Sequence, residues 1–387
     1  MSAERVSPAL GVIGTAVLDR IHPWETGPGG GRQRPEPVRS MGGIFYSLHA
    51  LAALAPHPSV VVPAIRVGAD AASLLRSQLA ALGVDTRFLQ PASAHQNAVE
   101  LRYESPDRRR EVLRGGVPPV RADRLGPFLR EVDALYVNFV AGNELTLSGF
   151  RRVRASFAGP IHVDLHSLLL GRSSTGLRFH RPLPGWRDWV ACADVVQCNA
   201  QEAATLWASN GRRGSGASRR SAGGGSKGSG RSAPPTRRGA APPLPARLEA
   251  RTLDRLAREV LAQGPRLFVV SDGASPVRAW GVRGRPWLIT PRPPAPPVDP
   301  TGCGDVLGAA FCALHFLRGL APRDALAQAV QAAAWTATRI GTDDLAPELA
   351  AWRGRHGPGP RGSADGSDPA RRRSGAPRRS RRASARR

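Results

Sequence analysis

The sequence predicts a doubly wound α/β domain, and three observations carry that expectation. Short apolar runs of strand length recur along the chain and alternate with stretches of helical periodicity. Several of these runs, such as Ala134 to Val140 and Arg266 to Val270, are nearly unbroken, as strands covered on both faces are. Glycine-containing turns mark the junctions, and one of them, Val298-Asp299-Pro300-Thr301-Gly302-Cys303-Gly304-Asp305, opens directly into an apolar helix.

Taken in order, residues 9–16 read as a buried first strand. Asp19 falls just past its C-terminal end, where open α/β sheets place their ligands. Residues 22–40, with Gly29-Gly30-Gly31, read as a mobile polar turn. Gly42-Gly43 stand at the mouth of an amphipathic helix over 44–55, with Ser47 one turn in. A strand over 60–65 follows, then Val67-Gly68-Ala69-Asp70, a helix ending near Leu82 at the C-cap glycine Gly83, and an extended segment at 83–86. Residues 98–104 and 109–113 pair as a hairpin turned by Ser105-Pro106-Asp107. With residues 20–40 they are expected to form a small projecting sheet, either a cover for a substrate or a surface hairpin without a role.

Strands at 134–140 and 160–165 come next. The second puts His162, Asp164 and His166 on one face, residue types that suit a metal and equally a strand end beside a pocket. The strand 193–199 runs into a helix, so Asn199 and Glu202, three residues apart, read as a ligand pair or as a capping box. A helix at 253–261 and a strand at 266–270 follow, with Ser271-Asp272-Gly273 in the turn after it, then a strand at 277–282 and a proline-rich run. Helices from Asp305 to Gly319 and from Pro322 to about Ile340 close the ordered chain.

The 298–305 turn carries the chemistry. A helix start leaves backbone N–H groups unpaired at the positive end of the helix dipole, and Gly302 and Gly304 let a phosphate approach them. Asp305 at the same mouth is placed to take a proton from an attacking hydroxyl. An anion cradle beside a base suits phosphoryl transfer. The alternative is a glycine-rich loop with an ordinary capping aspartate.

Composition narrows the partners. The 387 residues, 41% hydrophobic, suffice for one large domain or two smaller ones. No apolar run approaches the roughly 20 residues of a membrane helix, and the N-terminus lacks signal-peptide character. Four cysteines without a CxxC pair point to a reduced, cytoplasmic protein. The net charge of +25 is concentrated: residues 209–247 and 354–387 supply 18 of those charges. Both segments are poor in large apolar residues and are expected to be disordered, the first as an insertion and the second as an arginine-rich tail. Neither contains Phe, Tyr or Trp, which argues against a nucleic-acid stacking platform, although a nucleic-acid-associated role for them stays an alternative. Lys227 is the only lysine, so no Walker-type phosphate loop exists, and backbone amides, arginine and a metal must hold any phosphate.

Taken together, Asp19, Gly42-Gly43, Val67-Gly68-Ala69-Asp70, Gly83-Val84-Asp85, Asn199-Ala200-Gln201-Glu202, Ser271-Asp272-Gly273-Ala274 and Asp299 to Asp305 resemble the PfkB-type carbohydrate kinases of the ribokinase-like family. The resemblance implies a three-layer αβα, Rossmann-like fold over residues 1–353, with a small β-sheet lid from about 20–40 and 95–115. It implies an ATP-dependent kinase acting on a hydroxyl of a sugar or nucleoside, with Mg2+ and, as a further option, a monovalent cation. Asp305 is then the base, and the Gly302, Cys303 and Gly304 backbone the anion hole. Asp19, Gly42, Gly43 and Ser47 bind substrate; Asn199, Glu202, Ser271, Asp272, Gly273 and Thr301 bind the nucleotide, with Asn199 and Glu202 holding the metal through water. A homodimer through the lid is a further option, and a noncatalytic sensor on the same fold is the alternative function. Two residues depart from the family pattern. Ser47 stands where asparagine is common and is shorter, so one substrate contact is expected to be missing or altered. Cys303 stands where alanine is common, and its thiol at a helix N-terminus is expected to have a lowered pKa and redox sensitivity.

Overall fold

Gly11 sits in the first strand because the neighbouring strand and helix press against it: a Cβ there would lie 2.6 Å from Leu135 and from Phe128. This close packing lies in β1 (Leu10–Ile13), the strand next to one edge of the main sheet. The computed structural model describes residues 7–22, 36–105, 108–212 and 247–356. Most of the expected insertion and tail, the triple glycine and the Pro106-Asp107 turn lie outside the described residues.

The chain begins with β1 (Leu10–Ile13), β2 (Ala16–His22), β3 (Val38–Gly43), α1 (Ile44–Leu54), β4 (Val61–Pro63), β5 (Arg66–Gly68), α2 (Ala72–Ala81) and β6 (Gln90–Ala92). It continues through β7 (Ala98–Ser105), β8 (Arg108–Arg114), α3 (Gly126–Leu129), β9 (Ala134–Asn138), α4 (Leu147–Ser156), β10 (Ile161–Asp164), β11 (Leu170–Arg172), β12 (Arg178–His180) and α5 (Trp186–Val190). Then come β13 (Val195–Asn199), α6 (Ala200–Ala208), α7 (Ala250–Leu261), β14 (Leu267–Asp272), β15 (Ser275–Gly281), β16 (Trp287–Ile289), α8 (Cys303–Cys312), α9 (Pro322–Thr336) and α10 (Leu345–His356).

Eight strands form the main sheet in the order β16-β15-β14-β13-β10-β9-β1-β4. From β14 to β4 every pairing is parallel, and β15 and β16 close one edge antiparallel. One apolar cluster packs α1, α2, α8, α9 and α10 onto one face. A second packs α3 to α7 onto the other, which makes the ribokinase-like αβα sandwich. Helix α7 shows how a helix joins this layer: it buries Leu253, Leu256, Ala257 and Val260, an i, i+3, i+4, i+7 stripe. Direction reverses at β1, which has β4 on one side and β9 on the other, so a crevice opens at the strands' C-terminal ends.

The lid is the separate sheet β3-β2-β7-β8, with Val17, Ile21, Val99, Leu101 and Leu113 turned toward Val140 of the main domain. Several expectations need correction. The first strand stops at Ile13, and Asp19 lies inside lid strand β2, paired with Ser40 and Val99. Helix α1 is buried on nearly every side, because α8, α10 and the lid root surround it. Residues 83–86 form no strand; the extended piece is β6. Strands β5, β6, β11, β12 and β16 have three residues each, too short for a periodic signal. The boundaries of the expected disorder also move. Residues 209–212 form a 3-10 turn in which the Ser209 and Asn210 side chains accept from Leu183 N and Trp186 Nε1, Arg247 pairs with Asp272, and α10 runs on to His356.

Candidate active site

The turn before α8 is shaped by its own aspartate. Asp299 Oδ1 accepts from Thr301 N at 2.9 Å and Thr301 Oγ1 at 2.6 Å, which folds the chain back on itself. Gly302 then takes φ +78°, and a Cβ on it would lie 2.2 Å from the buried Tyr46 ring. The first intrahelical bond runs from Val306 N to Gly302 O, so the N–H groups of Gly304 and Asp305 lie ahead of it without a backbone acceptor. Cys303 N donates to Pro300 O at 3.3 Å.

Side chains from three elements grip this helix start. Ser47 Oγ of α1 and Tyr136 OH of β9 donate to the Asp305 carbonyl, at 3.3 and 3.5 Å. Gln197 Nε2 of β13 donates to Gly304 O and to Asp164 Oδ2, both at 2.8 Å. Asn138 Nδ2, at the end of β9, donates to Asp305 Oδ1 at 2.5 Å. Burial pushes the Asp305 carboxyl up to about 7, against the opposing Asn138 hydrogen bond and the Arg109 charge. Ser47 itself is fully buried and spends its hydroxyl on the protein. It therefore supports the helix start, where its hydroxyl is bonded to the backbone of the turn.

The lid brings Asp19, Gly42 and Arg109 toward the same point. Gly42 is a glycine because a Cβ there would lie 1.7 Å from Asp19 Oδ2, and Gly43 begins α1 with φ +60°. Burial raises the Asp19 carboxyl well above the usual range, the Arg109 guanidinium opposes this, and the charge of Asp305 adds to it. On β8, Arg109 Nη1 donates to Tyr103 OH at 3.0 Å and to Thr301 Oγ1 at 3.3 Å. Tyr103 OH in turn donates to Asp299 Oδ1 at 2.9 Å, so the lid is latched onto the turn. Burial alone would raise Glu111, but Arg109 and Arg178 on either side hold it at about 2.

On the other side of Asp305, Asn199 and Glu202 make both bonds of a capping box: Glu202 N to Asn199 Oδ1, and Asn199 N to Glu202 Oε2, each 2.8 Å. Ser271 pairs in register with Asn199, Asp272 is 2.9 Å from Arg247, and Gly273 makes the turn with φ +54°. Burial raises Glu202 to about 7, with Glu111 and Asp305 adding to the rise. Asp164 is raised well above the usual range by burial and by the charges of Glu202 and Asp305. Such mutually repelling buried carboxyls fit a nearby cation. Among the described residues no three His, Cys, Asp or Glu side chains gather closely enough to form a metal cluster.

These raised carboxyls couple to stability with a definite sign. An acid with a raised folded-state pKa holds its proton more tightly in the folded than in the unfolded protein, so stability is lost as pH rises from about 4 toward 7. Without Mg2+ or nucleotide, the Tm should fall between pH 5 and pH 8. The Glu202→Gln variant keeps a capping acceptor and should show a smaller fall in thermal melts; an equal fall would show that Glu202 does not contribute.

Two site expectations are overturned. His166 does not share the strand face with His162 and Asp164: β10 ends at Asp164, and His166 opens a 3-10 turn with φ +30°. His162 lies under the sheet's helix layer between the rings of Tyr136 and Phe311. The Cys303 thiol is raised to about 12, by burial first and then by Asp299 and Asp305, so the expected low pKa is corrected. Sequence reading did not single out Asn138, Gln197, Tyr103 or Arg109. Asn138 and Gln197 had one signal, a polar residue inside an otherwise apolar strand.

Comparison with known proteins adds the following. Residues 235–349 match the family model of the pfkB family carbohydrate kinases. No curated protein matches the sequence. Ribokinase from Thermotoga maritima superposes with a TM-score of 0.61 at 17% identity, covering 89% of this chain and 99% of the other. Arabidopsis thaliana ribokinase complexed with ribose and ATP gives 0.60 at 15% identity, over 89% and 99%. The nucleoside kinase of Burkholderia thailandensis in complex with inosine gives 0.63 at 14% identity, over 91% and 100%.

Proposed function

We propose that this ribokinase-like chain, PfkB-type over residues 235–349, is an ATP-dependent kinase that phosphorylates a hydroxyl of a sugar or nucleoside. The observation that carries the reading is the buried Asp305 carboxyl, raised to about 7, beside a helix start whose Gly304 and Asp305 N–H groups have no backbone acceptor. A base near neutrality next to an anion hole is what transfer to a hydroxyl requires. The acceptor hydroxyl loses its proton to Asp305 while its oxygen bonds to the γ-phosphorus of ATP. The bond to the leaving ADP breaks, and the helix-start N–H groups meet the charge on the phosphoryl oxygens. Asp19, given room by Gly42, orients the acceptor. Asn199 and Glu202 would hold Mg2+ through water, and Ser271 to Gly273 lie on the nucleotide side. When bound, Mg2+ neutralises phosphate charge.

The test is ADP release across a panel of sugars and nucleosides with ATP and Mg2+. Turnover with one class supports the kinase, whereas acceptor binding without turnover supports a sensor. With the acceptor known, Asp19→Asn should raise its KM by at least about 10-fold while the KM for ATP stays within about twofold, because the altered contact is a hydrogen bond on the acceptor side alone. Steady-state kinetics with each substrate varied would reveal an equal rise for ATP, which would remove Asp19 from that role.

A further inference from the structure

Asn138 is fully buried at the C-terminal end of β9, inside a strand whose other residues from Ala134 to Val137 are apolar or aromatic. Its Nδ2 donates to Asp305 Oδ1 at 2.5 Å and to Tyr136 OH at 3.1 Å. Its Oδ1 is buried and has no hydrogen-bond partner among the described residues. An orphaned buried carbonyl costs about 1–3 kcal/mol, so packing alone does not explain an asparagine here; an apolar side chain would suit the surroundings. What the amide provides is a donor aimed at one oxygen of the site's central carboxyl.

We propose that Asn138 is a positioning residue for phosphoryl transfer: its side-chain amide holds Oδ1 of Asp305 and leaves Oδ2 as the oxygen that takes the acceptor's proton. This rests on the kinase reading. The acceptor O–H bond breaks, its proton bonds to Oδ2, the acceptor oxygen bonds to phosphorus, and the bond from phosphorus to ADP breaks; nothing is oxidised or reduced. A carboxylate with one oxygen fixed presents the other in a single direction, which is the orientation that makes transfer efficient. The same hydrogen bond stabilises the charged form and so keeps the base ionised at lower pH than burial alone would allow.

Other charged groups face Asp305 and bear on the test. They are Asp19 from β2, Arg109 and Glu111 from β8, Asp164 from β10 and Glu202 from α6. Tyr46, Tyr136, Asp299 and Cys303 complete the titratable surroundings. Of these, only Tyr136 touches Asn138, through the 3.1 Å bond to its hydroxyl, and a phenol remains neutral across the acid limb, so a change in the base's titration there reports the lost hydrogen bond.

The experiment compares the full-length protein with Asn138→Leu and Asn138→Asp. In the leucine variant kcat should fall roughly 10- to 100-fold, with both KM values within about twofold and the acid limb of the kcat profile moved up by about half a pH unit or more. In the aspartate variant two carboxyls share the contact, so the limb should move further up. A fall in kcat with an unmoved limb, or a rise in KM alone, would overturn the proposal. If the leucine variant does not fold, the aspartate variant, of native size, carries the test. Failure of both to fold would make Asn138 a structural residue and overturn the proposal as well. A second arm needs no turnover: the Asp305 carboxyl carbon, identified by its loss in Asp305→Asn, is titrated by NMR in aspartate-labelled protein. An upward shift in the leucine variant of a chain that phosphorylates nothing would sink the kinase reading and keep the contact; no shift in an active kinase would do the reverse.

Discussion

Asp305→Asn should lower kcat at least about 10³-fold while leaving the fold and nucleotide affinity in place. Asparagine has nearly the volume of aspartate and can keep its carbonyl oxygen toward Asn138, so the buried contact survives. What disappears is the only lone pair at that point able to bind a proton strongly. The carboxyl is raised to about 7 by burial, so in the native enzyme kcat should climb with pH through that region as the carboxyl ionises. The rise should be absent from the residual activity of the variant. Circular dichroism and ADP titration check the fold and the nucleotide side. Turnover within tenfold of native in the folded variant would remove Asp305 as the base, and the kinase reading would need another one.

Gly302→Ala and Gly304→Ala should separate shape from chemistry in the same turn. At Gly302 a methyl group meets the Tyr46 ring at 2.2 Å and must adopt φ +78°. The ring is fully buried against the α1 layer and has nowhere to move. Left-handed backbone costs roughly 1–2 kcal/mol and overpacking about 1–3 kcal/mol, so the variant should lose about 2–5 kcal/mol, several degrees or more in Tm, together with most of its activity. At Gly304 a Cβ meets nothing within 4 Å. That space lies where the proposed phosphoryl binds, so Gly304→Ala should keep Tm within about 1 °C yet lower kcat at least about 10-fold. Calorimetry with kinetics on both variants distinguishes them. Equal Tm losses would mean that Gly304 serves the fold, and native activity in Gly304→Ala would exclude that backbone from the anion hole.

The legible part of the site was the part written in local sequence. The glycines of the 298–305 turn, the capping box at Asn199 and Glu202 and the Gly42-Gly43 helix mouth each specify a backbone conformation within a few residues, and all three appear where the spacing puts them. Asp19 was found as a residue and misplaced as an element, because two residues, Gly14 and Thr15, separate the main-sheet strand from the lid strand and the apolar pattern runs through both. Cys303 was misjudged for a related reason: a helix N-terminus lowers a thiol pKa, but burial and two nearby carboxylates, one of them in another part of the turn, outweigh the dipole.

By itself, then, the sequence determined the αβα layering, the turn that starts α8 and the place of Asp305 in its first turn, since strand length, helical period and glycine placement are properties of neighbouring residues. Only the tertiary structure decided what surrounds that carboxyl. Asn138, Ser47 and Arg109 reach it or its turn across 167, 258 and 192 positions of chain. Contacts at that separation leave no periodic trace, and they, with burial, set the protonation and direction of the group at the centre of the site.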